Sequence, residues 1–114
     1  MTLFLECLDE KIIFFVPVDN AEAVKDALFD AGAGKIADYD RCCFQTEGQG
    51  QFRPLADANP HIGNHGEVER LKELKIELVC DDRYIRQSIE ALLEAHPYEE
   101  AAFEVYDMLD WKNL

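Results

Sequence analysis

The sequence predicts an α+β fold with the element order βαββαβ, in which a four-stranded antiparallel sheet carries two helices on one face. Three observations predict it. Residues 11–18, KIIFFVPV, form the continuous β-branched and aromatic run that is typical of a central buried strand. Residues 74–80 alternate apolar and polar side chains, as a half-buried strand does. Each of these strands is followed by a stretch with apolar residues at helical spacing.

The helices have recognisable ends. Asp19 and Glu22 form an acidic capping pattern before a helix at 20–31, and Gly32 to Gly34 stop it. Asp81 or Asp82 is placed to cap a second helix, which Pro97 ends. Residues 102–106 then alternate again and predict the last strand.

The middle of the chain, residues 39–66, fits neither a helix nor a plain strand. Residues 42–46 and 51–54 alternate, and Gly48 and Gly50 lie between them. We expect a bent or bulged hairpin whose glycines supply unusual backbone conformations. A loop with His61 and His65 follows at 55–66. Together these elements describe the split β-α-β, ferredoxin-like layout with an extended, bulged middle hairpin.

With 114 residues, the chain is long enough for one domain with its own core. We expect the domain at 11–106, an N-terminal extension at 1–10 and a C-terminal tail at 107–114 that carries Trp111. The extension fits an added edge strand and a frayed terminus equally well. The run KIIFFVPV has apolar side chains for both sheet faces, so we expect a second subunit to cover the face without helices.

Charge and cysteine content narrow the partners and the compartment. The formal charge of −13 and the pI near 4.4 disfavour nucleic acid and anionic membranes as partners. The four cysteines lack C-x-x-C spacing and predict free thiols in a reducing compartment. The N-terminus has acids where a secretion signal has positive charge, and no apolar run reaches the length of a membrane helix. These features indicate a cytoplasmic protein.

A set of spaced residues then resembles a known family. The set comprises Gly32-Ala33-Gly34, Tyr39, Cys42, Phe44, Gly48-x-Gly50-x-Phe52-x-Pro54, Pro60, Gly63, Gly66, Glu69, Glu77 and His96-Pro97-Tyr98-Glu99-Glu100-Ala101. This pattern resembles the insert domain of the Nif-three-like, or YqfO-like, proteins over residues 11–106. His-Pro-Tyr-Glu is also similar to the end of the second helix in CutA-like proteins, which have a ferredoxin-like, PII-like fold and form trimers.

The resemblance implies a homo-oligomer, with a trimer favoured. Full-length members bind two metal ions between flanking α/β domains, and this chain lacks the motifs of those domains. Their suggested hydrolase activity therefore does not carry over, and the chain looks like a stand-alone version of the insert.

Two groups of residues are candidate sites. His61 and His65 are four residues apart and, with sulfur or oxygen donors from Cys42, Cys43, Asp57 or Glu67, suit zinc or copper. The alternative is a pair of surface histidines, because Pro60 and Gly63 disfavour a helix at this spacing.

The second group is His96, Tyr98 and Glu99, which the resemblance makes a candidate cleft or subunit boundary together with Cys42 and Phe52. His96 also fits a simpler role, in which a protonated imidazole caps the second helix. Cysteine catalysis by Cys42 or Cys43 would need a base such as His61, and nothing in the sequence places them together.

The sequence is compatible with three functions. The first is an oligomeric module that binds a small ligand or divalent metal at a subunit cleft, or acts in regulation or interaction, without being an enzyme. The second is a structural assembly domain. The third is a metal-assisted hydrolase that uses His61, His65, His96 and Glu99.

Overall fold

The computed structural model describes residues 9–114 and has the predicted element order. The elements are β1 (Asp9–Pro17), α1 (Ala21–Asp30), β2 (Phe44–Phe52), β3 (Glu69–Asp81), α2 (Ile85–Ala95) and β4 (Phe103–Asp107). The sheet order is β2-β3-β1-β4, and each pair of neighbours is antiparallel. The α+β, ferredoxin-like fold class is confirmed. The prediction for the N-terminal extension lies mostly outside the described residues.

The core lies between the helices and one face of the central strands. Ile12, Phe14 and Val16 of β1 are fully buried, because alternate residues of a strand share a face. Val24 of α1 and Leu92 of α2 are fully buried against them. Each such side chain contributes about 1.5–3 kcal/mol of hydrophobic stabilisation. Within residues 9–114, no helix is long and apolar enough to cross a membrane.

The opposite sheet face carries neither of the two α-helices. Ile13 and Phe15 point to it, and the strand register places them beside Glu77 and Lys75 of β3. Phe44 of β2 pairs with Glu77, and its side chain is 68% exposed. This face therefore combines apolar and charged side chains that the single chain leaves partly open.

The predicted hairpin within residues 42–54 is wrong. Residues 44–52 form one continuous strand that pairs residue for residue with β3, without a bulge. Gly48 and Gly50 lie inside this strand, and neither has a positive φ. The alternation is interrupted because these two glycines occupy one strand face. Only at Gly50 does the missing side chain leave space for another residue, Glu73, since a Cβ at Gly48 would have nothing within 4 Å.

The ends of the helices follow the predictions in part. Asp81 accepts a hydrogen bond from the backbone N–H of Arg83 at 2.8 Å and caps the short 3-10 turn that leads into α2. The cap predicted before α1 is wrong, because no side chain bonds to the N-terminal amides of that helix. A 3-10 turn at Val18–Asn20 takes up the connection from β1 instead.

The β2–β3 pair projects beyond the rest of the sheet. The pairing of β1 with β3 ends at Pro17 and Glu73, whereas β3 continues to Glu69 alongside β2. The longest dimension is 56 Å and the radius of gyration is 16.1 Å. A compact domain of this length has a radius of gyration of about 13 Å. The domain is therefore elongated.

Candidate functional site

A cleft opens at the base of the projecting pair, on the sheet face without helices. It is enclosed by the loop at 54–62, the turn at 98–102 and neighbouring residues of the sheet. Its volume is about 280 Å³. The apolar lining includes Phe15, Phe52, Pro54, Pro60, Ile62 and Ala102. The polar lining includes His61, Glu73, Tyr98, Glu99 and Glu100. Two distant stretches that the sequence singled out therefore meet around one cavity.

Tyr98 lies at the centre of an aromatic group in the cleft. Its hydroxyl donates a hydrogen bond to Glu73 Oε2 at 2.8 Å. Its ring packs edge-on against Phe52, with ring centroids 5.7 Å apart. The rings of His96 and His61 lie at a tilt to it, with centroid distances of 5.1 Å and 6.4 Å. Burial and the neighbouring carboxylate of Glu73 raise the pKa of Tyr98 well above its ordinary value, so the phenol remains a neutral donor.

Gly50 makes room for the carboxylate of Glu73. Gly48 and Gly50 share the sheet face of Glu73, and a Cβ added at Gly50 would overlap the Glu73 carboxylate. Glu73 can therefore extend across β2 and reach Tyr98. Glu73 carries no local sequence signal of its own, because an acid opposite an apolar strand face normally points to solvent. The glycines were the available signal, and they become meaningful only once the strand register is known.

His96 connects two parts of the cleft, strand β1 and the turn that begins at Tyr98. Its Nε2 donates to the carbonyl oxygen of Phe15 at 2.7 Å, and its Nδ1 accepts from the backbone N–H of Tyr98 at 3.1 Å. These two bonds require the neutral tautomer with the proton on Nε2. Burial, only partly opposed by the bond to Phe15 and the charge of Glu73, lowers the pKa of His96. The predicted protonated cap is wrong, because the imidazole bonds to β1 and not to the last carbonyls of α2.

The loop is tied to the turn and to itself. Glu99 Oε2 accepts a hydrogen bond from the backbone N–H of Asn59 at 2.8 Å, which joins the turn to the loop. His65 Nε2 donates to the carbonyl of Ala58 at 2.7 Å within the loop. Glu99 thus lines the cleft and also fixes its mouth, whereas His65 stabilises the loop conformation.

The predicted metal ligands are arranged differently from a metal centre. His61 lines the cleft beside Tyr98, and His65 is bonded to a backbone carbonyl. Across residues 9–114, no group of three or more His, Cys, Asp or Glu side chains is placed to hold a metal ion. The zinc or copper site therefore stays a prediction without a described ligand set.

Cys42 lies away from the cleft. It is in the loop before β2, where its backbone N–H donates to the carbonyl of Gly34 at 2.8 Å and its thiol to that of Asp40 at 3.6 Å. Cys43 packs partly against the core. Of the predicted cleft residues, Phe52, Tyr98 and Glu99 line the cavity, His96 supports it, and Cys42 belongs to a separate loop.

Comparison with known proteins places the chain beside longer relatives. No protein-family model matches it. A protein of Mycobacterium bovis named GTP cyclohydrolase 1 type 2 homolog is 42% identical over 100 residues, which cover 88% of this chain and 26% of the relative. A Bacillus cereus protein described as related to NIF3 has a similar structure, with a TM-score of 0.76 and 41% identity over 90% of this chain and 26% of its own.

A second kind of neighbour shares the fold at low sequence identity. The structure of the periplasmic divalent cation tolerance protein CutA from Archaeoglobus fulgidus has a TM-score of 0.64 and 12% identity. The match covers 90% of this chain and 85% of that one. At this identity the likeness concerns the fold alone. The chain thus spans about a quarter of its sequence relatives but most of a CutA chain.

Proposed function

We propose that the chain, which is homologous to one segment of the longer NIF3-related proteins, is a small-ligand-binding module. The observation that carries the proposal is the meeting of the loop at 54–62 with the turn at 98–102 around one cavity. Apolar walls with a few convergent polar groups are the usual composition of small-molecule sites. The volume of about 280 Å³ lies just below their usual range of about 300–1,000 Å³, so the proposed ligand is small.

The proposal does not include an enzyme activity. The activity in the name GTP cyclohydrolase 1 type 2 homolog refers to proteins of which this chain spans 26%. A hydrolase that uses His61, His65, His96 and Glu99 has little support from the geometry, since His96 has both ring nitrogens engaged with backbone groups. A metal-assisted hydrolase is therefore the third-ranked function.

A fragment titration tests the binding proposal. Amide signals of a ¹⁵N-labelled sample are followed while small aromatic fragments of different charge are added. We expect at least one fragment to shift the signals of Phe52, Tyr98 and the loop, and to lose this effect in Phe52→Ala. The control is Leu93→Ala, which removes an exposed apolar side chain from α2, outside the cleft lining. A broad panel that shifts no cleft signal, or shifts the signals equally in Phe52→Ala, would contradict the proposal.

We further propose that the module is a homo-oligomer, with a trimer favoured by the resemblance to CutA-like proteins. Support comes from the sheet face that lacks both α-helices, from the 68% exposed Phe44 and from the elongated shape. We expect a solution mass of three times 13.1 kDa, measured by light scattering. Phe44→Asp is expected to lower this mass, whereas Leu93→Asp on the exposed side of α2 is its control. A monomer at micromolar concentration would contradict the proposal.

A purely structural assembly domain is the second candidate. The same open sheet face favours it, because assembly alone would bury that face. The two candidate functions are distinguished by measuring the solution mass of a variant with an altered cleft. If Phe52→Ala leaves the oligomer intact and no fragment binds the wild-type cleft, the assembly role stands alone.

The proposed setting is the cytoplasm, and the proposed partner is the chain itself. Cys42, Cys43 and Cys80 are free thiols, as in a reducing compartment. The charge of −13 supports the proposal that nucleic acid and membranes are not partners.

The metal hypothesis is tested by metal analysis of untagged protein, with His61→Ala and His65→Ala as variants. Unchanged, substoichiometric metal content would contradict it.

A further inference from the structure

The polar lining of the cleft is strongly acidic. Glu73, Glu99 and Glu100 line it, and its lining contains no lysine or arginine. Over the described part of the chain, the ion pairs engage other carboxylates: those of Glu22, Asp26, Asp30, Glu47 and Asp81. Within residues 9–114, none of the three glutamates of the cleft forms an ion pair with a cationic side chain.

Two of these carboxylates are fixed in position and keep bonding capacity. Glu73 receives one hydrogen bond from the Tyr98 hydroxyl through Oε2, and Glu99 receives one from the backbone of Asn59 through Oε2. An ionised carboxylate accepts about four hydrogen bonds through its two oxygens. Each side chain is thus oriented by one donor and can accept further donors from a ligand.

The apolar lining is aromatic next to these acids. Phe15, Phe52 and Tyr98 line the same cavity, and the Phe52 and Tyr98 rings contact each other edge-on. The face of an aromatic ring carries negative potential and attracts cations, by about 0.5–2 kcal/mol. The aromatic faces and the carboxylates therefore both favour a positively charged ligand.

We propose that the cleft binds a small planar organic cation, in which one aromatic or heteroaromatic ring carries a protonated amidine, guanidine or amine. The inference rests on the proposed ligand-binding function. The ring packs against Phe52 and Tyr98, and the cationic group bonds to Glu73 and Glu99. A planar amidinium presents two parallel N–H donors, which match a carboxylate in a bidentate pair. The small volume favours a ligand with a single ring.

Three probes of similar shape test whether the cleft prefers a positively charged ligand. Benzamidine, benzamide and benzoate carry a positive, a neutral and a negative group on the same ring. Amide signals of the cleft are followed while each is added. We expect benzamidine to bind at least about tenfold more tightly than benzamide, equivalent to about 1.4 kcal/mol. Benzoate is expected to bind most weakly, because the three carboxylates of the cleft repel its negative charge.

Matched variants distinguish direct contact with a cleft carboxylate from the effect of the protein's overall negative charge. Glu73→Gln is expected to weaken benzamidine binding by about tenfold, and Glu99→Gln by a similar factor if it remains folded by circular dichroism. Glu90→Gln removes the same charge from the exposed surface of α2, away from the cleft lining, and is expected to leave binding unchanged. Equal weakening in Glu73→Gln and Glu90→Gln would overturn the inference, because only net charge would then matter.

The outcomes also separate this inference from the proposed function. If benzamide or benzoate shifts the cleft signals as strongly as benzamidine, the cleft binds ligands but has no preference for cations, and the inference fails alone. If benzamidine shifts no cleft signal, the inference fails as well, and the fragment panel decides the proposed function separately.

Discussion

His96 gives the sharpest prediction about the cleft, because one buried imidazole joins β1 to the turn. The change is His96→Ala, which removes the donor to Phe15 and the acceptor from Tyr98. At pH 7.5 we expect the free energy of unfolding to fall by about 2–4 kcal/mol. Each lost hydrogen bond contributes about 0.5–1.5 kcal/mol, and a backbone group left buried without a partner adds to this cost.

The same contacts make this contribution depend on pH. His96 is 6% exposed, and burial lowers its pKa in the folded state. As the pH falls below the ordinary histidine pKa, the unfolded chain takes up a proton that the folded chain does not. Stability from this residue is therefore complete above about pH 6.5 and is lost at up to about 1.4 kcal/mol per pH unit below it.

Urea unfolding followed by circular dichroism at pH 7.5 and pH 5.5 measures both effects. We expect the gap between wild type and His96→Ala to narrow by up to about 1.4 kcal/mol at the lower pH. His65→Gln, which removes a histidine that bonds to the loop carbonyl of Ala58 and not to β1, is the control. An equal gap at both pH values would refute the neutral, doubly bonded imidazole.

Three further substitutions test individual contacts elsewhere in the fold and in the cleft. Burial and nearby carboxylates such as Asp82 raise the pKa of Glu10 to about 7. Its ionisation therefore costs stability as pH rises from about 4.5 through about 7. Glu10→Gln is expected to raise the melting temperature at pH 8 and not at pH 4. Tyr98→Phe removes the bond to Glu73 and is expected to lower stability by about 1 kcal/mol, measured by urea unfolding. Gly34→Ala is expected to cost about 2 kcal/mol or more, because φ is +80° and the new Cβ would lie 2.7 Å from an aromatic ring.

Each of these changes has a matched control. Glu90→Gln removes an exposed acid and is expected to give no gain at pH 8. Tyr106→Phe removes a hydroxyl bonded to Glu104 on the exposed edge strand and is expected to cost less than Tyr98→Phe. Gly48→Ala adds a Cβ with nothing within 4 Å and is expected to cost less than Gly34→Ala. Equal effects in a variant and its control would contradict the corresponding explanation.

The fold and the two motif regions could be predicted from local patterns. The apolar runs of β1 and β3 and the spacing in both helices are properties of adjacent residues, so the element order followed from them. The identities of about 40% with relatives also confirm the family resemblance read from the glycine pattern and the His-Pro-Tyr-Glu turn. What failed was the interpretation of Gly48 and Gly50, since their role depends on the partner strand.

The cleft itself could not be predicted, because it forms between residues far apart in the chain. Glu73 and Tyr98 are 25 residues apart, and Asn59 and Glu99 are 40 apart. His96 shows the same limit: helix position suggested a protonated cap, whereas the contact with Phe15 spans 81 residues. No pattern of neighbouring residues specifies which strand carbonyl an imidazole will meet.

The sequence by itself determined which residues form strands and helices and which face of each is apolar, since backbone geometry ties these to local periodicity. The tertiary structure alone decided that the loop at 55–66 and the turn at 96–100 meet, and that Gly50 leaves space for Glu73 beneath Tyr98. The physical reason is that strand register and side-chain overlap are fixed by contacts between distant segments, and the charge and tautomer of each cleft residue follow from those contacts.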